Sequence, residues 1–107
     1  MNIDIVSQAD LTRVTLEGEM TIYAAAELKD SLFPAVEACK EMEISLAGVS
    51  EIDGSGLQLL ALIKREAAAK SKKLEFVAHS PAILDMIDLC NLAGIFGDPL
   101  VLSSPQS

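Results

Sequence analysis

Between Glu43 and Lys70 an apolar strand pattern passes into a helical one across a joint of small residues, and this joint constrains the fold most. Glu43-Ile44-Ser45-Leu46-Ala47 alternates polar and apolar residues and reads as a strand. Leu57, Leu60, Ile63, Ala67 and Ala68 then recur at helical spacing, with Lys64, Arg65, Glu66 and Lys70 on the opposite side. From Ser55 this helix would run about 24 Å. A strand leading straight into a long helix needs a crossover to reach its next neighbour, which makes that pairing parallel. The joint, Ile52-Asp53-Gly54-Ser55-Gly56-Leu57, therefore falls at the carboxyl end of a central strand, where open α/β sheets place their sites.

Two readings of the joint stand side by side. Gly54 and Gly56 permit backbone turns that other residues avoid, and they leave the Ser55 hydroxyl uncovered. Ser55 followed by Gln58 just ahead of an apolar run has the form of a capping box, which accounts for the serine structurally. The same helix start carries unpaired N–H groups and partial positive charge, so it suits an added anion. A phosphate on Ser55 would bring one to two negative charges there and change the surface a partner meets.

The rest of the chain supplies the sheet. Ile3 and Ile5 alternate with polar neighbours. After a turn at Gln8-Ala9-Asp10 come Leu11, Val14 and Leu16, with Thr12, Arg13 and Thr15 interleaved, predicting a hairpin with one buried face. Glu17-Gly18-Glu19-Met20 breaks that alternation. Thr21 is positioned to cap a helix with the stripe Leu28, Leu32, Ala35, Val36 and Cys39, in which Pro34 predicts a kink or break near Ser31. Gly18 to Tyr23, at the mouth of this helix, reads as a plain connector or as the second wall of a partner site. Leu74-Glu75-Phe76-Val77-Ala78 is a fourth strand. Ser80-Pro81 opens a last helix, with serine at the cap and proline at the first helical position. Pro99-Leu100-Val101-Leu102 reads as a final edge strand or extended tail. One domain over 1–102 and a disordered polar tail over 103–107 follow, since no repeat or linker interrupts the pattern.

Composition narrows the function classes. A formal net charge of −8 over 107 residues argues against nucleic acid or an anionic membrane as partner. It is compatible with a basic protein surface. The start of the chain lacks a signal-peptide pattern, and no apolar run approaches the ~20 residues of a membrane span, so a cytoplasmic protein without direct membrane insertion is expected. Cys39 and Cys90, inside helical patterns, read as reduced and buried. His79 alone builds no nucleophilic triad, and the chain lacks metal-ligand spacing and a phosphate loop with its lysine. The expectation is a binding protein, with no catalytic residues, no metal and no cofactor.

The order strand, strand, helix, strand, helix, strand, helix predicts an α/β fold with a mixed sheet. That order and Ile52-Asp53-Gly54-Ser55-Gly56-Leu57-Gln58-Leu59-Leu60 resemble the STAS domain family, over nearly the whole chain from Ile3 to Leu102. Asp53-Gly54-Ser55-Gly56 is similar to the Asp-Ser/Thr-Ser-Gly run of the family's anti-sigma factor antagonist branch, with Gly54 replacing the usual hydroxyl residue. Gly18-Glu19-Met20-Thr21 is similar to the family's Gly-x-Leu/Ile-Asp stretch, with Thr21 standing where the acid would be. The resemblance implies a STAS-like fold, an N-terminal hairpin plus parallel strands packed with helices. It implies a regulatory module that docks an anti-sigma factor or serine-kinase-like partner, loses affinity when Ser55 is phosphorylated, and is reset by a phosphatase. The implied partner surface comprises Asp53, Gly54, Ser55, Gly56, Leu57 and Thr21. Two other functions are weighed against it. One is a STAS subunit of a chemotaxis or lipid-transport assembly with a structural Ser55; the other is a small nucleotide-binding protein.

Overall fold

The element order expected from the sequence is the order found. A computed structural model describes residues 1–90. It consists of β1 (Asn2–Gln8), β2 (Leu11–Met20), α1 (Ile22–Ala38), β3 (Glu41–Ile52), α2 (Gly54–Ala69), β4 (Lys73–Val77) and α3 (Pro81–Cys90). The sheet runs β1-β2-β3-β4, antiparallel between β1 and β2 and parallel across the two remaining pairs. The parallel pairs are those whose strands are joined through a helix, as crossover geometry requires. The predicted strand at Pro99–Leu102 and the tail at 103–107 lie outside the described residues.

Strand alternation sorts the sheet into two faces. Thr12, Val14 and Leu16 of β2, Met42, Ile44 and Leu46 of β3, and Leu74 and Phe76 of β4 are buried. They form one core with Leu28, Leu32 and Val36 of α1, Leu60, Ile63 and Ala67 of α2, and Ile83 and Ile87 of α3. The helices therefore share one face. The other is polar and carries the ion pairs Arg13–Glu43 at 3.5 Å and Lys73–Glu41 at 3.6 Å. Thr12, interleaved as polar in the sequence, is buried because it shares the inward parity of Val14. Its hydroxyl lies 3.1 Å from that of Ser7, so neither is left without a partner.

Several boundaries differ from expectation. β2 continues through Glu17–Met20 instead of breaking, because Gly18, at φ +112°, absorbs a register irregularity against β3 between Gly18 and Glu19. β3 extends well beyond Glu43–Ala47 at both ends and delivers Ile52 to the joint. Pro34 does not break α1, which is continuous from Ile22 to Ala38. Both Pro34 and Asp30, whose carbonyl loses its helical donor, are on the exposed side, where the missing bond costs least. On α2, Leu59 joins the buried set and Ala68 is exposed. Cys39 is buried with a free thiol directed 3.5 Å from the Val36 carbonyl; the side chain of Cys90 lies outside the description. α3 opens as predicted, with the Ile83 N–H donating to the buried Ser80 hydroxyl at 3.2 Å.

Candidate functional site

The cap of α2 is Asp53, and Ser55 lies in the first helical turn. Asp53 has extended backbone, and its Oδ1 accepts from the Gly56 N–H at 2.9 Å. The Ser55–Gln58 capping box is therefore corrected: the cap lies two positions earlier, at Asp53. The helix begins at Gly54, which puts Ser55 second, and the carboxylate two residues earlier reaches the open N–H first.

The same carboxylate holds a second helix. Its Oδ2 accepts from the Ile22 N–H at 3.1 Å, at the start of α1. Thr21, the N-cap of α1, makes no side-chain cap bond, although its carbonyl accepts from the N–H groups of Ala24 and Ala25 at 2.9 and 3.1 Å. Asp53 supplies what Thr21 does not. Its own N–H donates to the Met20 carbonyl at 3.2 Å, which ties the ends of β2 and β3 together below the two helix starts. The Gly56 N–H bond holds the Asp53 carboxyl below the usual carboxylate range, against the opposing effect of desolvation, with further help from the Ile22 and Ser55 N–H groups.

The two glycines of the joint do different work. A Cβ on Gly56 would fall 2.3 Å from the Met20 carbonyl oxygen, 2.9 Å from Met20 Cγ and 3.1 Å from Ile52 Cγ1. Only glycine lets α2 approach the strand ends this closely, and neither glycine here requires a positive φ. A Cβ on Gly54 would meet nothing within 4 Å. Gly54 is exposed, so a side chain at this position is accommodated.

The residues anticipated for a partner surface thus divide. Gly54 is exposed, while Asp53, Ser55 and Thr21 are half-buried; all four lie at the surface of the joint. Gly56 and Leu57 are buried, and their part is to seat the turn on the core. The sequence reading named Gly18 to Tyr23 as a possible second wall but did not single out its most exposed members. Tyr23 is 93% exposed and Ile22 61%, directly beside the Asp53 carboxylate that Ile22 contacts. An aromatic in the first turn of a helix, outside its apolar stripe, was the signal available.

Among the described residues, grooves border this surface on two sides. One lies between the end of β3 and α3 and includes Glu51, Ile52, Asp85 and Met86. The other lies between the end of β2 and α1 and includes Glu19, Thr21, Tyr23 and Glu27. Each combines apolar side chains with two carboxylates. Among the described residues no helix is long and apolar enough to cross a membrane, and no cluster of three His, Cys, Asp or Glu side chains is placed to hold a metal ion.

Comparison with known proteins bears on both sequence and fold. The family profile described as Mlab, STAS domain matches residues 3–102. The anti-sigma-B factor antagonist of Staphylococcus epidermidis is 28% identical over 93 residues, covering 86% of each chain. An anti-sigma factor antagonist from Mycobacterium paratuberculosis superposes with a TM-score of 0.79 at 22% identity, over 94% of this chain and 86% of that one. The anti-sigma factor antagonist SpoIIAA in its unphosphorylated form gives 0.73 at 18% identity, over 87% and 84% of the two chains. The phosphorylated form of SpoIIAA, a Bacillus cell fate determinant, gives 0.69 at 18% identity, over 87% and 86%. Sharing the hairpin, the parallel strands and the strand-to-helix joint, and matched from residue 3 to residue 102, the chain belongs to the STAS domain family.

Proposed function

We propose that this chain is a regulatory protein-binding module of the anti-sigma factor antagonist type, switched by reversible phosphorylation of Ser55. The observation that carries the reading is the position of Ser55. It lies at the surface in the first turn of α2, a turn without acidic residues, whose cap Asp53 accepts from the N–H of exposed Ile22. The helix start offers partial positive charge to an added phosphate. Asp53, two residues away and ionised, opposes it. A partner covering the joint would have to strip water from both anions, which costs several kcal/mol. Phosphorylation is therefore expressed as lost affinity, while the core beneath the joint stays packed.

The partner class is an anti-sigma factor or serine-kinase-like protein, with a phosphatase to reset the switch. The names of the relatives and the existence of a phosphorylated SpoIIAA structure support this reading. Exposed Tyr23 and Ile22 supply the apolar contact, and Glu19, Glu27, Glu51 and Asp85 favour a basic rim on the partner. The chain acts by binding in the cytoplasm and does no chemistry of its own.

Intact-mass analysis of the protein from its native cells, before and after phosphatase, tests the modification. The expected result is a phosphatase-sensitive increase of one phosphoryl group that maps to Ser55. Ser55→Asp should then bind the cognate partner more weakly than Ser55→Ala. Equal binding by the two variants would overturn the switch. A second reading, a STAS subunit of a chemotaxis or lipid-transport assembly with a structural Ser55, is favoured by the family description itself, which is not confined to antagonists. It predicts a clean unmodified mass in every growth condition.

A further inference from the structure

The outer edge of β1 carries features that the Ser55 site does not use. Among the described residues nothing pairs with that edge. Exposed sheet edges are ordinarily blunted by charged side chains, lysine above all, by proline, a bulge or short length. β1 has only Asp4 of these. It is seven residues long, and its register with β2 is unbroken from Asn2 opposite Glu17 to Gln8 opposite Leu11. β4, at the other edge, has five residues and includes Lys73 and Glu75. β1 also holds Ile5, 39% exposed, and Val6, 47% exposed, on opposite faces of the strand.

The turn fixes which backbone groups are available. Ala9 and Asp10 connect the two strands, so Gln8 and Leu11 are the closing pair whose backbone groups bond each other. Alternation along an antiparallel ladder then directs the N–H and C=O groups of Asp4, Val6 and Gln8 toward β2. Those of Ile3, Ile5 and Ser7 point outward. On the inward side of this strand Ile3 packs against the core, whereas Ile5 and Ser7 are exposed.

We propose that β1 pairs antiparallel with β1 of a second copy of this chain, Ile5 opposite Ile5 on the two-fold axis, joining two sheets into one of eight strands. In that register Ile3 faces Ser7 of the other copy at both ends. All three outward residues are then used, giving about six inter-chain hydrogen bonds. Charge favours this register over one centred on Asp4, and hydrogen-bond number favours it over one centred on Val6, which uses only Ile5 and Ser7 of each strand. Centring on Asp4 would set two carboxylates directly opposite, which is unfavourable. Centring on Ile5 sets Asp4 opposite Val6, and Val6 already faces Arg13 on its other side. The row across the junction becomes Glu43, Arg13, Val6, then Asp4 of the second copy, so the acids alternate with a base. A symmetric pair would present two Ser55 joints, and the inference does not depend on whether Ser55 is phosphorylated.

Sedimentation velocity over a concentration series, combined with amide exchange, tests the pairing. The expected species is a reversible dimer of about twice the 11.4 kDa chain mass. Its Ile3, Ile5 and Ser7 amides should be protected at high concentration and exchange freely on dilution. Ile5→Lys, which sets two cations face to face, should give a monomer. Val6→Glu, opposite Asp4 in both halves, should weaken dimerisation about tenfold. Val6→Lys should leave it at least as tight. Both Val6 variants lie on the open polar face, and an unchanged melting temperature of the monomer at low concentration separates association from folding. A monomer at every concentration would overturn the proposal. So would a dimer indifferent to the sign of charge at position 6. Protection of the outward amides in a monomer would do the same, by assigning the edge to residues 91–107 of the same chain.

Discussion

The Asp53 carboxylate accepts from the Ile22 N–H at 3.1 Å and so joins the first turn of α1 to the cap of α2, across thirty-one positions of sequence. One side chain thereby fixes the relative position of the two helix starts that border Ser55. The exposed Ile22–Tyr23 pair is held against the joint by a bond to its own backbone.

Asp53→Asn separates the two bonds. The amide oxygen can still accept from Gly56, but the amide NH₂ cannot accept from Ile22. The expected outcome is faster amide exchange at Ile22 with Gly56 still protected. Asp53→Ala should release both amides and lower the melting temperature further. Equal protection of Ile22 in wild type and Asp53→Asn would contradict the bridging role.

Acid should weaken the joint in a defined window. The folded pKa of Asp53 lies below its ordinary value of 3.8, mainly because the charged form accepts the Gly56 N–H. Its stabilising effect is fully present above that ordinary value and is lost as pH falls below it, through the folded pKa. Glu37, lowered by Lys70, titrates in the same direction, so a comparison is required. Denaturant midpoints measured from pH 5 downward, about the range where carboxylates protonate, should fall less steeply for Asp53→Asn than for wild type.

Phosphorylation should move that window. A phosphate on Ser55 raises the Asp53 pKa by adding like charge close to it. The acid transition of the phosphorylated protein is expected at higher pH, and NMR titration of the Asp53 carboxyl carbon reads the shift directly. An unchanged titration would show that the phosphate is directed away from the cap.

The two glycines should respond oppositely to alanine. Gly56→Ala forces the Cβ against the Met20 carbonyl and is expected to cost about 1–3 kcal/mol or more. In a domain of this size each kcal/mol lowers the melting temperature by about 4–8 °C. Gly54→Ala meets open space in the first turn and should be neutral or stabilising by up to about 1 kcal/mol, through the restricted unfolded chain. Thermal melts of the two variants decide this.

Tyr23→Ala should leave the melting temperature nearly unchanged, because the ring is almost fully exposed. If it anchors the partner, affinity should fall by about 2 kcal/mol, roughly thirtyfold. Titration calorimetry with the cognate partner measures both the loss and its heat.

Local order in this chain was legible because it depends on periodicity. Alternation in Val14–Leu16 and Ile44–Leu46, the helical stripe from Leu57 to Ala67, and the Ser80-Pro81 start each involve residues within a few positions of one another. The parallel pairing of β2 with β3 and of β3 with β4 followed from the intervening helices, and the strand-to-helix joint placed Ser55 at the end of a central strand. The tertiary structure decided what those local patterns could not. Strand register brings Met20 against Gly56, so a glycine that resembled a flexible turn residue is a contact of bare backbone with backbone. It also brings Ile22 to Asp53, so the cap came from the acid and left Ser55 in the turn. Gly18 carried β2 past an apparent break, and solvent on the outer side of α1 tolerated Pro34. The approach of Met20 to Gly56 and of Ile22 to Asp53 turns on distances between residues far apart in sequence, which pairing and packing set and periodicity does not encode.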